Sequence, residues 1–190
     1  YDHVRSSYRM TILLNAEIPE PVLPEKITLM TLEGGEDHLR RALKAQQEAF
    51  LDHYGVIEEP FEDYYKREKT QILGDPTYDL SAGYMALDGE EVAAVCINQT
   101  SRAGIDNGGW VGTLSVRRPW RKQGLGLALL RTTFREMKKR GKESVGLYVD
   151  SENLTGALRL YQKAGMVVEY ESCYFEKVLR PGRDLANHGE

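Results

Sequence analysis

The sequence predicts an α/β protein of the α+β type, a mixed sheet covered by helices. Three observations point there. The C-terminal end alternates strand, helix, strand, helix, strand, an order that lays helices over a sheet. The middle of the chain holds two apolar runs joined by Asp88-Gly89, which reads as two strands and a tight hairpin. The 190 residues suffice for one such domain with a sizeable core.

The elements follow in chain order. Residues 9–14 read as a strand. Pro19, Pro21 and Pro24 then predict an irregular linker, because proline fixes φ and removes a donor. Residues 27–32 read as a second strand. Gly34-Gly35-Glu36-Asp37 is a turn whose acids suit a helix start, and Leu39, Leu43, Gln46 and Phe50 recur at helical spacing. Pro60-Phe61-Glu62-Asp63 opens a second helix through about residue 73. The hairpin occupies residues 84–87 and 92–97, a polar loop 101–109, and a strand 110–116. The strongest helix runs from 123 to about 140, with Leu127, Leu130, Phe134 and Met137 on one face. Lys138, Lys139 and Arg140 complement its dipole. A strand at 145–149, a helix at about 155–163 and two strands within 167–179 complete the pattern. The tail from residue 181 reads as loose.

Composition excludes several function classes. The net charge of −4 argues against general nucleic-acid binding. No run approaches the ~18 apolar residues of a membrane span. Tyr1-Asp2-His3-Val4-Arg5 leads into no apolar signal segment, so a cytoplasmic location is expected. Cys96 and Cys173 stand in no metal-ligand spacing; no metal is expected, and both read as small strand hydrophobes.

One stretch reverses the acidic balance. Arg117, Arg118, Arg121 and Lys122 come with no acid among them, directly before two glycines and a helix. The run is either a solvated loop or an anion site. Unpaired amides at a helix start, the helix dipole and nearby cations together make a diphosphate cradle. A P-loop needs GxxxxGK followed by Ser or Thr, and the chain has none. A dinucleotide fingerprint fits Gly124-Leu125-Gly126 poorly, because Leu129 takes its third small position.

The hexapeptide Arg121-Lys122-Gln123-Gly124-Leu125-Gly126 fits a third pattern, Gln/Arg-x-x-Gly-x-Gly/Ala. Val116 ends a strand five residues before Arg121, and Leu127-Ala128-Leu129-Leu130 continues an apolar helix. Further on come Leu147-Tyr148-Val149-Asp150-Ser151-Glu152-Asn153 and then Ala157-Leu158-Arg159-Leu160-Tyr161-Gln162-Lys163-Ala164-Gly165. In this order and separation the blocks resemble the GNAT superfamily of N-acetyltransferases, specifically over residues 110–166 and loosely over 27–97. The resemblance implies the GNAT fold: a mixed, mostly antiparallel twisted sheet flanked by helices, with a splay between two parallel strands. It also implies acetyl-CoA as co-substrate. The backbone of Leu114, Ser115 and Val116 would pair with the pantetheine arm. Amides of Lys122, Gln123, Gly124, Leu125, Gly126 and Leu127 would hold the pyrophosphate, with Arg121 fixing the turn. Asn153 would lie near the pantetheine, and Tyr161 near the sulfur as general acid.

Read as residues alone, Tyr161 equally packs at helical spacing with Ala157 and Ala164, and Asn153 equally starts a helix. The Asn153-to-Tyr161 spacing is one residue longer than is usual in the family, and Pro119 sits one place late. Thr113 stands where the family often has a basic Glu, so no general base is assigned. His53, Glu48, Asp52 and Glu62 lie in the helical part that commonly walls the acceptor site.

The first strand resembles the closing strand of a preceding GNAT domain, as in tandem bacterial acetyltransferases of the mycothiol synthase kind. The expected organisation is residues 1–24 as strand and linker, 25–180 as the GNAT domain and 181–190 as tail. The expected function is acetyl transfer from acetyl-CoA directly to the primary amine of a small molecule. The alternative is a CoA-binding domain without turnover, structural or regulatory in a tandem pair. Expected partners are acetyl-CoA, a small amine, and either a preceding GNAT domain or a homodimer partner; nucleic acid and membrane are not expected.

Overall fold

The strand that opens the chain lies deep among the strands that close it. In the computed structural model, which describes residues 1–52, 56–102, 104–151 and 156–180, β1 (Asp2–Leu13) pairs antiparallel with both β6 (Ser144–Asp150) and β7 (Val167–Glu176). Between them in sequence come β2 (Ile27–Thr31), β3 (Tyr84–Asp88), β4 (Glu91–Gln99) and β5 (Gly108–Val116). The seven strands form one sheet in the order β2-β3-β4-β5-β6-β1-β7. Every neighbouring pair is antiparallel except β5 and β6, which are joined by a helical crossover. This is the mixed sheet with one parallel pair that the sequence led us to expect.

Helices cover both faces, but not evenly. α1 (Gly35–Phe50) buries Leu39, Ala42, Leu43 and Gln46, the i, i+3, i+4, i+7 stripe that faces a sheet. With α2 (Phe61–Gly74) it covers one face through Leu39, Leu43, Tyr65, Met85, Val95 and Ile97. α3 (Leu125–Lys139) and α4 (Ala157–Lys163) cover the other, around Leu129, Leu130, Phe134, Met137, Leu147 and Met166. Leu127, expected on the buried stripe of α3, is only half-buried; Leu125, Ala128 and Leu129 take its place. Residues 14–26 form no regular element, as the prolines predict. Arg135 donates to Ile18 O at 2.9 Å and Lys138 to Ala16 O at 2.7 Å, so basic residues of α3 fasten this linker.

Two expectations are corrected. The segment expected to form two strands is the single strand β7, which runs unbroken from Val167 to Glu176 and pairs with β1. A second strand there is superfluous because β1 already fills the place between β6 and β7. Cys96 is buried in β4 as expected, whereas Cys173 is exposed, because no helix covers β7.

Candidate functional site

β5 is bent by one extra residue. Ile97 pairs with Thr113 and Asn98 with Val111, which leaves Gly112 unmatched. Such a bulge twists a strand away from its course and reverses which side its residues face. Val111 lies in the core under α3, as do Leu114 and Val116 beyond the bulge, while Thr113 and Ser115 face α1 with their partners Ile97 and Val95. The parallel ladder to β6 stops just before the bulge, spanning only Gly108–Trp110 against Ser144–Gly146. Beyond it the strands part, and about 20 Å of β5 edge opens into a fork.

The fork's edge can be read group by group. Arg117 N–H donates to Ala93 O on β4, so Val116 O, in the same peptide, points the other way into the fork. By alternation the N–H and C=O of Leu114 share that side. Ser115 turns its main chain to β4, where it is in register with Val95, and its buried hydroxyl has no partner among the described residues. Of the three residues expected to offer backbone to a ligand, Ser115 is thus misplaced, and its parity in the strand is the reason.

At the C-terminal end of β5 the chain makes a short 3-10 turn, Arg118–Trp120, and enters α3. Lys122 (φ 63°) and Gly124 (φ 88°) are left-handed, a conformation that favours glycine and is strained for lysine. Gly124 starts α3 with no side-chain cap, and the amides of Leu125, Gly126 and Leu127 have no acceptor among the described residues. Lys122, Gln123 and Gly124 are exposed, and Gln123 Nε2 donates to Pro119 O at 3.0 Å. Gly126 is buried and serves packing: a Cβ there would lie 2.9 Å from Leu160 Cδ2 of α4.

The basic run before this turn is largely neutralised by acids that the sequence reading placed elsewhere. Arg117 pairs with Glu48 (2.8 Å) and Glu91 (2.7 Å). Arg118 Nε lies 3.3 Å from Asp52. Arg121 holds Asp52 with both terminal nitrogens, at 2.5 and 3.0 Å, and donates to Ala49 O (2.8 Å) and Val116 O (3.0 Å). The Arg121 hydrogen bonds pull the Asp52 carboxyl down to about 2. Only Lys122 of the run has no ion-pair partner among the described residues. Local sequence showed cations without acids; the acids arrive from the end of α1 and from β4.

Tyr161 on α4 is buried in the core, and its hydroxyl has no hydrogen-bond partner among the described residues. Burial raises its pKa above the ordinary phenol value, with a smaller contribution from Cys96. Cys96, fully buried, is itself pushed up to about 11 by desolvation. Neither group ionises near neutral pH. Cys96 and Thr133 approach a network missed by sequence reading: Asn98, fully buried, donates to Ala82 O (2.6 Å) and Thr133 Oγ1 (3.0 Å), tying β4 to α3. Asn153 and His53 lie outside the described residues. Glu62 pairs with Arg40. With Glu48 and Asp52 also held by arginines, no carboxylate named for the acceptor wall stands free.

Among the described residues, no helix covers the face of β6, β1 and β7 away from α3 and α4. There Arg102 stacks over Trp110 at 4.2 Å, Trp110 meets Tyr148 edge-on at 5.0 Å, and Tyr148 and Tyr170 share a 2.8 Å hydrogen bond. Arg9 lies between Trp110 and Tyr170 and pairs with Glu169 at 3.0 Å. A cavity of about 410 Å³ adjoins them, bordered by Arg9, Ser144, Gly146 and Glu169. Strand alternation could have grouped these residues only once β1 was known to lie beside β6.

Comparison with known proteins bears on this arrangement. The model of the acetyltransferase (GNAT) family matches residues 40–166. A mycothiol acetyltransferase of Streptomyces scabiei is 32% identical over 155 residues, 80% of this chain and 46% of the relative. One from Thermobispora bispora is 31% identical over 168 residues, 85% of this chain and 53% of the relative. The chain therefore spans about half the length of the curated relatives it matches. Among solved structures, a GCN5-related N-acetyltransferase from Sphaerobacter thermophilus superposes with a TM-score of 0.74 at 36% identity, over 97% of this chain and 55% of that one. A tandem GNAT protein from the clavulanic acid biosynthesis pathway shares the fold at 14% identity, with a TM-score of 0.61 over 88% of this chain and 51% of that one.

Proposed function

The chain belongs to the GNAT acetyltransferase family, and from that premise we propose that it moves an acetyl group from acetyl-CoA directly to the primary amine of a small molecule. The observation that carries the reading is that one strand, β5, has an open edge beyond its bulge and a helix start without a side-chain cap at its end. An extended arm ending in a diphosphate needs those two features in that order. The residues fit the group: the turn keeps three helix amides free, and nothing described lies within 4 Å of where a Cβ on Gly124 would stand.

In this reading the amides from Lys122 to Leu127 receive the diphosphate, helped by the dipole of α3 and the charge of Lys122. The main chain of Leu114 and the N–H of Val116 face the arm as a neighbouring strand would, the Val116 carbonyl being held by Arg121 Nε. Arg121 shapes the turn and does not touch the ligand. Acetyl-CoA supplies a thioester. The Leu114 N–H donates to the acyl oxygen as negative charge gathers there. Tyr161 donates to the departing sulfur. A thiol's ordinary pKa is about 8.5 and a phenol's about 10, and burial widens that gap. Tyr161 therefore acts chiefly as a hydrogen-bond donor to the growing thiolate. The uncovered face at the fork's root is the approach left to the acceptor, because α3 and α4 close the other side. Water or the amine's own equilibrium supplies the base.

The relatives are named mycothiol acetyltransferases, so an acceptor related to mycothiol is the first to offer, ahead of polyamine, antibiotic and peptide amines. Residues 1–24 are then the closing strand of a preceding GNAT domain and its linker, that strand lodged between β6 and β7 in the sheet of the second GNAT domain, 25–180. Support comes from relatives about twice as long and from a strand that precedes a proline-rich linker. Calorimetry with acetyl-CoA, followed by thiol release across an amine panel, tests the function. Binding without turnover on any amine would favour a CoA-binding module; no binding would remove the cofactor assignment.

A further inference from the structure

We propose that Asp52 is a positioning residue for the diphosphate-binding turn, so that the end of α1 sets the affinity for the nucleotide half of the cofactor. The inference rests on the acetyl-CoA reading above. It starts from an acid in an unfavourable place. Asp52 lies just beyond the C-terminus of α1, where the helix dipole repels negative charge, and the last turn of α1 has no basic residue of its own. The compensation comes from across the fold. Arg121 Nη1 and Nη2 grip both carboxylate oxygens, and Nη2 also donates to the Ala49 carbonyl in the last turn of α1. Nε of the same guanidinium holds Val116 O at the end of β5.

Four hydrogen bonds thus fix one side chain to three places: the helix end, Asp52 and the strand end. The next residue, Lys122, is left-handed without being glycine, and two residues on Gly124 is left-handed again. A strained turn of this kind persists only when its surroundings over-determine it. Arg121 supplies that constraint on the strand side, and Asp52 holds Arg121. The carboxyl, at about 2, stays ionised through the working range, so the grip does not titrate. Arg118 adds a second cation to the same carboxylate at 3.3 Å. Asp52 therefore acts on the ligand through Arg121 and the turn, never by contact.

The test separates the nucleotide half of the cofactor from its acetyl-pantetheine arm. Calorimetry would compare acetyl-CoA with acetyl-pantetheine, which lacks the whole nucleotide half including the diphosphate, on the parent, Asp52→Asn and Asp52→Glu. Asp52→Asn should weaken acetyl-CoA binding about tenfold, the scale of a lost charged hydrogen bond. It should shrink the preference for acetyl-CoA over acetyl-pantetheine by the same factor, and Asp52→Glu should recover part of it. An unchanged preference would overturn the proposal. So would tighter acetyl-CoA binding by Asp52→Asn, because Arg121 would then be a phosphate ligand that Asp52 withholds. A second measurement needs no variant. Hydrogen exchange on the parent should show acetyl-CoA, but not acetyl-pantetheine, protecting the end of α1 together with the turn. Protection of the turn alone would also overturn it. If the parent binds no acetyl-CoA, the cofactor reading falls and takes this proposal with it; if the parent binds and Asp52→Asn binds equally, only this proposal falls.

Discussion

β4 and β7 are strands of nearly equal length and opposite fate. In β4, Glu-Val-Ala-Ala-Val-Cys-Ile-Asn-Gln, every residue but the first is buried. In β7, Val-Val-Glu-Tyr-Glu-Ser-Cys-Tyr-Phe-Glu, all but one are exposed. Composition does not explain this: β7 carries two valines, two tyrosines, a phenylalanine and a cysteine. Position does. β4 sits mid-sheet with α1 on one face and α3 on the other, whereas β7 is an edge strand that no helix among the described residues covers. The buried side of the sheet is also the side with the fork, the turn and Tyr161. β7 adds only Tyr170 and Glu169 at the rim.

The sharpest break in that comparison is a pair of core-type substitutions. Ile97→Ala in β4 should cost about 2–5 kcal/mol of stability, the usual range for emptying a packed site, read by denaturant unfolding. A cost near zero would mean that β4 is no better packed than β7. Gly124→Glu asks whether the buried side is also the working side. It puts a side chain at φ 88° and a negative charge where the diphosphate would lie. It should weaken acetyl-CoA binding by about a hundredfold or more by calorimetry. Retained affinity would move the cofactor away from α3. Tyr161→Phe should lower kcat by about tenfold to a hundredfold while KM for acetyl-CoA stays within about twofold.

The same tyrosine makes a pH prediction. Its protonated form is the useful one, and activity that depends on it is lost as pH rises through its pKa. Burial raises that pKa, so the loss moves above the ordinary phenol value of about 10. The kcat profile of the parent should therefore show no basic-side fall below about pH 10. A fall near pH 9 that vanishes in Tyr161→Phe would mean that the phenol titrates in an open site. Smallest of all, Val168→Ala in β7 should change stability by no more than about 0.5 kcal/mol, the usual range for exposed positions. A larger loss would show that something covers β7 in solution.

What could be read from the sequence follows the same division. The strand, turn and helix at residues 108–139 are contiguous, and their pattern of glycines, cations and apolar spacing is local, so the turn and α3 were legible in place. The pairing of Arg121 with Asp52 was not, because the two are far apart in sequence and meet only when α1 packs on β5. The reversal of parity at Gly112 was hidden because an added residue leaves no mark on composition. The place of β1 was hidden for a related reason: its alternation announces a strand and says nothing of which neighbours it will find. Expecting two strands after residue 167 was the natural error, since the partner of β7 precedes every other described strand in sequence.

That placement of β1 also governs how the chain comes to fold. Leu13 finds its partner at Ser144, and Asp2 at Glu176, so the last third of the sheet is built from pairings of the longest sequence separation the chain affords. Contacts of this kind slow folding, because most of the loop must close before any of them forms. On a ribosome adding about 5–20 residues per second, β1 emerges roughly 7–26 s before β6. During that interval it is an unpaired strand with Tyr8, Met10 and Ile12 along one side, and whatever shelters it in the cell sets how much of the nascent chain reaches the native sheet.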